Sequence, residues 1–217
     1  MNIRLRTPLI GAVLAMTLTA CAGAAAPAGT PSGAASLGTP ASASQAGASA
    51  FDQAFIDMMV PHHQSATEMA ELAQDRAEHE ELRTLAGEII AAQEAEITQM
   101  RDWRQEWFGS AETPPMDAMP LLPGMEMEDT DMDMDMGDVA TMDMTTDIEE
   151  LRDADPFDLA FLDAMIPHHE SAIEAGQIAL EQSANPEIRS LAEEIISSQQ
   201  AEIDQMTAWR SEWYPEG

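Results

Sequence analysis

Positive charge is scarce in this 217-residue chain: its nine basic residues are all arginine, against 40 acidic ones, giving a formal net charge of −31 at pH 7. Such a surface disfavours nucleic acid and anionic lipid headgroups as partners and concentrates cations around the protein. Strong negative charge also promotes solubility, so charge alone does not identify a ligand. Cysteine is limited to Cys21, which excludes a disulfide within the chain. No nucleophile, phosphate loop or acid pair supports turnover, so an enzymatic role finds no backing. Histidine is also sparse, with five in total, yet four of them stand in two Pro-His-His clusters, MVPHHQSA from Met59 and MIPHHESA from Met165.

The N-terminal twenty residues combine Arg4 and Arg6 with an apolar run from Leu9 to Ala20. That run is too short for a stable membrane anchor and reads as a secretory signal over residues 1–20. It ends in Leu18-Thr19-Ala20-Cys21, which resembles a bacterial lipoprotein box. The expectation is an exported protein lipidated at Cys21, facing the periplasm or the cell exterior and meeting the membrane only through that anchor. Residues 21–50 are rich in Ala, Gly, Ser, Thr and Pro, with too little apolar area to offset the entropy of ordering, and read as a flexible tether.

Residues 51–108 and 157–214 align without a gap, with about half of the positions identical, as expected of a duplicated unit. Each copy reads as two helices. Asp155-Pro156 and Asn185-Pro186 place a capping side chain before a proline at the first helical position. In the second helix of copy one, Leu82, Leu85, Ala86, Ile89, Ile90, Ile97, Met100, Trp103 and Trp107 fall on one arc at helical spacing. One helix pair cannot cover two apolar stripes, whereas two pairs packed together can. The predicted architecture is therefore an all-α four-helix bundle built from both copies, with residues 109–156 as a disordered acidic connection.

The pattern Phe-Asp-x-x-Phe-x-x-x-Met-Val/Ile-Pro-His-His, followed by Ile-Ile-x-x-Gln-x-x-Glu-Ile-x-x-Met-x-x-Trp, resembles the secreted bacterial family named domain of unknown function 305, of the ferritin-like superfamily. The likeness covers both repeats and implies a bundle of two similar helix pairs with a functional His-His motif. In some cyanobacterial relatives it also implies periplasmic copper binding. The long insertion between the copies departs from the usual family pattern.

If the first helix continues through Pro61, His62 shares the inward face of Phe55, Met59, Ala66, Met69 and Ala73, while His63 lies toward the edge. Met59 precedes His62 and His63 by three and four residues, so a thioether and an imidazole can point at one atom; Met165, His168 and His169 repeat this. Thioether with imidazole suits Cu(I) or Ag(I), and Cu(II) where carboxylates join. Carboxylate-bridged iron is disfavoured, because Met59 and Val60 stand where a Glu-x-x-His motif would need glutamate. Gln93, Glu96, Gln199 and Glu202 interrupt the apolar arcs and are expected to accept the free ring N–H of His62 or His168, fixing which nitrogen faces a metal. A buried histidine bonded to Glu or Gln can equally serve bundle register alone, and methionine is an ordinary core filler.

Between the repeats, the stretch from Met116 to Asp147 is acidic and rich in methionine. Met125, Met127, Met132, Met134, Met136, Met142 and Met144 are candidates for soft-metal capture, with an acidic linker or an oxidant sink as the alternatives. His79, whose counterpart is Asn185, reads as solvated, and the four tryptophans as packing residues. The functional expectation is copper or silver sequestration or tolerance in the cell envelope, Cu(I) favoured. A non-metal envelope interaction protein is the alternative, and a metal-dependent oxidoreductase a third class. The sequence identifies no protein partner.

Overall fold

The computed structural model describes residues 48–123, 125 and 144–215. In chain order these form α1 (Ala50–Arg76), α2 (Glu80–Phe108), a 3₁₀ turn (Met116–Ala118), α3 (Met144–Asp153), α4 (Phe157–Gln182) and α5 (Pro186–Trp213). Residues 1–47, with the predicted signal and Cys21, lie outside the described residues, as do Met127, Met132, Met134, Met136 and Met142 and the side chain of Met144. Among the described residues no helix is long and apolar enough to cross a membrane.

The helix ends follow from local chemistry. Ser49 Oγ accepts from Asp52 N at 3.1 Å while the Asp52 carboxylate accepts from Ser49 N at 2.6 Å, a reciprocal capping box that starts α1. Asn185 accepts from Glu187 N at 2.9 Å with Pro186 at the first helical position, as its sequence predicts. The start of α4 differs from expectation. Pro156, with ψ 135°, has the extended backbone of a capping residue, so the helix begins one residue later, at Phe157. α2 ends at Gly109, whose φ of 81° is the left-handed conformation that glycine adopts without strain.

The first repeat fills α1 and α2, the second α4 and α5, and the two pairs meet along α1 and α4. The inward face of α1 buries Phe55, Met59, His62, Ala66, Met69 and Ala73 as predicted. On α2 the buried apolar positions are Leu82, Leu85, Ala86, Ile89, Ile97 and Met100, while Ile90, Trp103 and Trp107 are only partly covered. Burying each large apolar side chain contributes about 1.5–3 kcal/mol, and Phe55 and Phe161 are both fully enclosed.

Polar ties repeat with the duplication. Asp57 pairs with Arg104 at 2.6 Å and Asp163 with Arg210, each joining the two helices of one repeat. The first-turn aspartates instead cross between repeats. Asp52 accepts from Ser183 Oγ in the turn before α5, and Asp158 accepts from Glu78 N, His79 N and His79 Nδ1 in the turn before α2. Each pair of helices is thus pinned to the other's turn by a buried carboxylate.

The connection between the repeats carries more structure than its composition suggests. α3 inserts Ile148 and Leu151 into the core formed with α1 and α4, and Leu122 is buried in the core that α1, α2, α4 and α5 share. Periodicity over ten residues is too short a signal to separate such a helix from an acidic linker; its stability comes from docking. Arg76 supplies part of that docking. Its guanidinium donates to the carbonyls of Leu151 and Ala154 at 2.8 Å and to that of Arg152, and lies 4.6 Å from the Phe157 ring centre. A cation on the free carbonyls of a helix C-terminus favours that end. Replacing Arg76 with methionine is expected to cost about 1–2 kcal/mol. The loss should appear in hydrogen exchange as faster amide exchange in α3 than in α2.

Candidate metal centre

Pro61 and Pro167 each lie within a continuous helix, α1 and α4, and each precedes its histidine pair. Proline forfeits one helical hydrogen bond there, so neighbouring packing must keep the segment helical. On α1 every residue from Met58 to His63 is buried, because α1 packs against both α2 and α4. His63 is therefore not at an edge, as helical spacing alone suggested, but fully enclosed against α2. Surroundings differ in α4, where Pro167 is exposed and His168 retains 8 % exposure.

The four imidazoles form one continuous chain across the repeat boundary. His62 and His168 face each other with ring centres 3.9 Å apart, and His63 and His169 flank them, each 6.2 Å from its neighbour. Met59 and Met165 are fully buried one turn before. His63 Nε2 lies 2.7 Å from Glu96 Oε2, and His169 Nε2 lies 2.7 Å from Glu202 Oε2.

The glutamates thus do bond imidazole, but that of His63 and His169 rather than of His62 and His168. The latter two use serines of the opposite repeat: His62 Nε2 is 2.8 Å from Ser171 Oγ, and His168 Nε2 is 2.7 Å from Ser65 Oγ. Where α1 meets α4, these hydroxyls occupy the positions that the amides of Gln93 and Gln199 were expected to fill. Both glutamine Oε1 atoms are buried without a hydrogen-bond partner.

The donor and acceptor capacities of the partners fix where the ring protons sit. A carboxylate only accepts, so His63 and His169 carry hydrogen on Nε2. Ser65 Oγ donates to the His62 carbonyl at 2.7 Å, and Ser171 Oγ donates to the His168 carbonyl at 2.7 Å. Each hydroxyl has one hydrogen, and without it two oxygens would face each other at that distance. The serines therefore accept from His168 and His62, which carry hydrogen on Nε2 as well. All four rings then present a bare Nδ1 lone pair, and all four Nδ1 atoms are buried with no hydrogen-bond partner.

Burial pushes His62 and His168 well below the usual histidine range. The nearby rings of His168, His63 and His169 add to this for His62, and those of His169 and His63 for His168, which the His62 backbone opposes weakly. Both rings are neutral near pH 7. Among the described residues no three His, Cys, Asp or Glu side chains converge on a ready-made metal cage.

Ser65 and Ser171 were not singled out by sequence reasoning, although both stand three residues after the first histidine of each cluster and are identical in the two copies. His79 is also placed differently from expectation. It stacks on Trp213 with ring centres 3.7 Å apart and bonds Asp158 at 2.7 Å, so it joins the turn before α2 to the end of α5. Met125 packs at the margin of the α1 core, next to Leu122.

Fold and site together define a two-repeat helical bundle with a paired-histidine core. The chain belongs to the family described as Domain of unknown function (DUF305), whose model matches residues 52–214. Among solved structures it is similar to CopM in its Cu(I)-bound form, at 38 % identity over 75 % of this chain and 97 % of that one, with a TM-score of 0.57. CopM in its Cu(II)-bound form matches at 41 % identity and a TM-score of 0.59, with the same coverage. A DUF305 protein of Streptomyces coelicolor, classed as secreted, matches at 26 % identity over 75 % of this chain and 93 % of its own, with a TM-score of 0.58. No curated protein matches the chain significantly.

Proposed function

We propose that this protein binds copper, with silver as its soft analogue, for sequestration or tolerance outside the cytoplasm. The observation that carries the reading is the set of four buried imidazoles whose Nδ1 atoms have no partner, with Met59 and Met165 fully enclosed one helical turn earlier on the same helices. An unpaired lone pair in a core is costly unless something completes it. Neutral imidazole with thioether selects Cu(I) or Ag(I) above hard cations, and Glu96 and Glu202 hold the outer rings through Nε2, leaving Nδ1 without a partner. CopM, 38 % identical to this chain, has been obtained in Cu(I)-, Cu(II)- and Ag-bound forms, which supports the same cargo here. His62, His63, His168 and His169 with Met59 and Met165 would form one shared cluster. The net charge of −31 would draw cations in, the methionines between the repeats would capture soft ones, and Cys21 would tether the protein to the membrane.

Silver titration followed by native mass spectrometry tests this. The expected result is stoichiometric Ag(I) binding to the full chain, lost when His62, His63, His168 and His169 are replaced by alanine. The pair His63→Ala/His169→Ala serves if the fourfold variant loses its helical circular dichroism. Unchanged stoichiometry in a folded variant would refute the proposed site.

A further inference from the structure

The serine contacts make each half of the histidine cluster dependent on the other repeat. Ser65 belongs to α1 yet bonds His168 on α4, and Ser171 belongs to α4 yet bonds His62 on α1. Each serine also spends its hydrogen on the carbonyl of the histidine in its own helix, three residues back. Carbonyl, hydroxyl and imidazole therefore form two antiparallel relays that cross where α1 and α4 meet. Both serines are buried, so water does not offer the imidazoles a substitute acceptor from bulk solvent.

From this geometry we infer that Ser65 and Ser171 are positioning residues acting in trans: Ser65 sets the tautomer of His168, and Ser171 that of His62. The outer rings are fixed differently, by glutamates within their own repeat. A carboxylate holds its imidazole whatever the other repeat does, whereas a serine does so only while the repeats are docked. The inner pair thus presents Nδ1 only in the assembled bundle, and a single repeat carries an incomplete set. This division extends the copper reading and rests on it for its effect on binding; the tautomer assignment itself does not.

Long-range ¹H–¹⁵N NMR of the imidazoles distinguishes the two tautomers and needs no metal. In the metal-free full chain at pH 7.5, all four core histidines are expected to show hydrogen on Nε2. Ser65→Ala should move His168 toward a mixture with hydrogen on Nδ1 while His63 and His169 remain unchanged. Ser171→Ala should do the same to His62, which keeps the test open if one variant folds poorly. Outer-sphere partners of this kind typically alter metal affinity by about 10–100-fold, and Ag(I) affinity should fall accordingly in either variant. An unchanged tautomer at the opposite histidine in a folded variant overturns the inference, whatever the silver affinity. A shifted tautomer with unchanged silver affinity upholds the positioning role and counts instead against His62 or His168 as a metal ligand.

Discussion

Replacing Asp158 with alanine is expected to destabilise the fold by about 2–5 kcal/mol, mainly through the buried donors it leaves without an acceptor. The carboxylate is almost wholly enclosed and accepts from Glu78 N at 2.9 and 3.2 Å, His79 N at 3.0 Å and His79 Nδ1 at 2.7 Å. Alanine leaves two backbone N–H groups without an acceptor just ahead of α2, at about 1–3 kcal/mol for each unsatisfied group. The imidazole adds less, because its side chain is 35 % exposed and solvent screens it. An asparagine side chain would retain one acceptor oxygen, so Asp158→Asn should cost less than half as much. Urea unfolding of both variants measures this. Equal losses for alanine and asparagine would show that negative charge, rather than acceptance from the turn, is what the position requires.

That aspartate also shows where sequence reasoning stopped. Duplication, helix pairs and the inward face of α1 could all be read from spacing, since Phe55, Met59, His62 and Met69 are buried as 3.6-residue periodicity dictates. Periodicity describes one helix against one neighbour. It misplaces His63, because α1 packs against α2 and α4 together. Contacts between repeats were out of reach for the same reason: nothing local distinguishes Ser65, which bonds across the bundle, from a serine on a solvated face. Intrusion into an apolar arc marks the glutamates as partners for imidazole. Their allocation to His63 and His169 required knowing how α2 sits against α1. α3 escaped because short helices are stabilised by what they dock against.

Acidification is expected to unfold this protein through its inner imidazoles. Burial holds His62 and His168 well below their ordinary value of 6.5, so the folded protein takes up their protons only at lower pH than the unfolded chain does. Between the folded values and about 6.5 the unfolded state binds more protons, and stability rises with pH across that window. Conversely, stability should fall as pH drops below about 6.5, by about 1.4 kcal/mol per pH unit for each imidazole. Urea unfolding in steps from pH 7.5 to 5.0 measures the slope while most carboxylates remain ionised. At lower pH, protonation of the 40 acidic side chains relieves self-repulsion and works in the opposite direction. A His62→Asn/His168→Asn variant should show a flatter profile over the same range, and a slope equal to the wild type would locate the proton uptake elsewhere. Protonation also removes the Nδ1 lone pair. If the imidazoles are ligands, bound silver should be released over the acid window in which the wild type loses stability. Release that tracks carboxylate protonation near about pH 4 would instead assign the metal to the acidic surface.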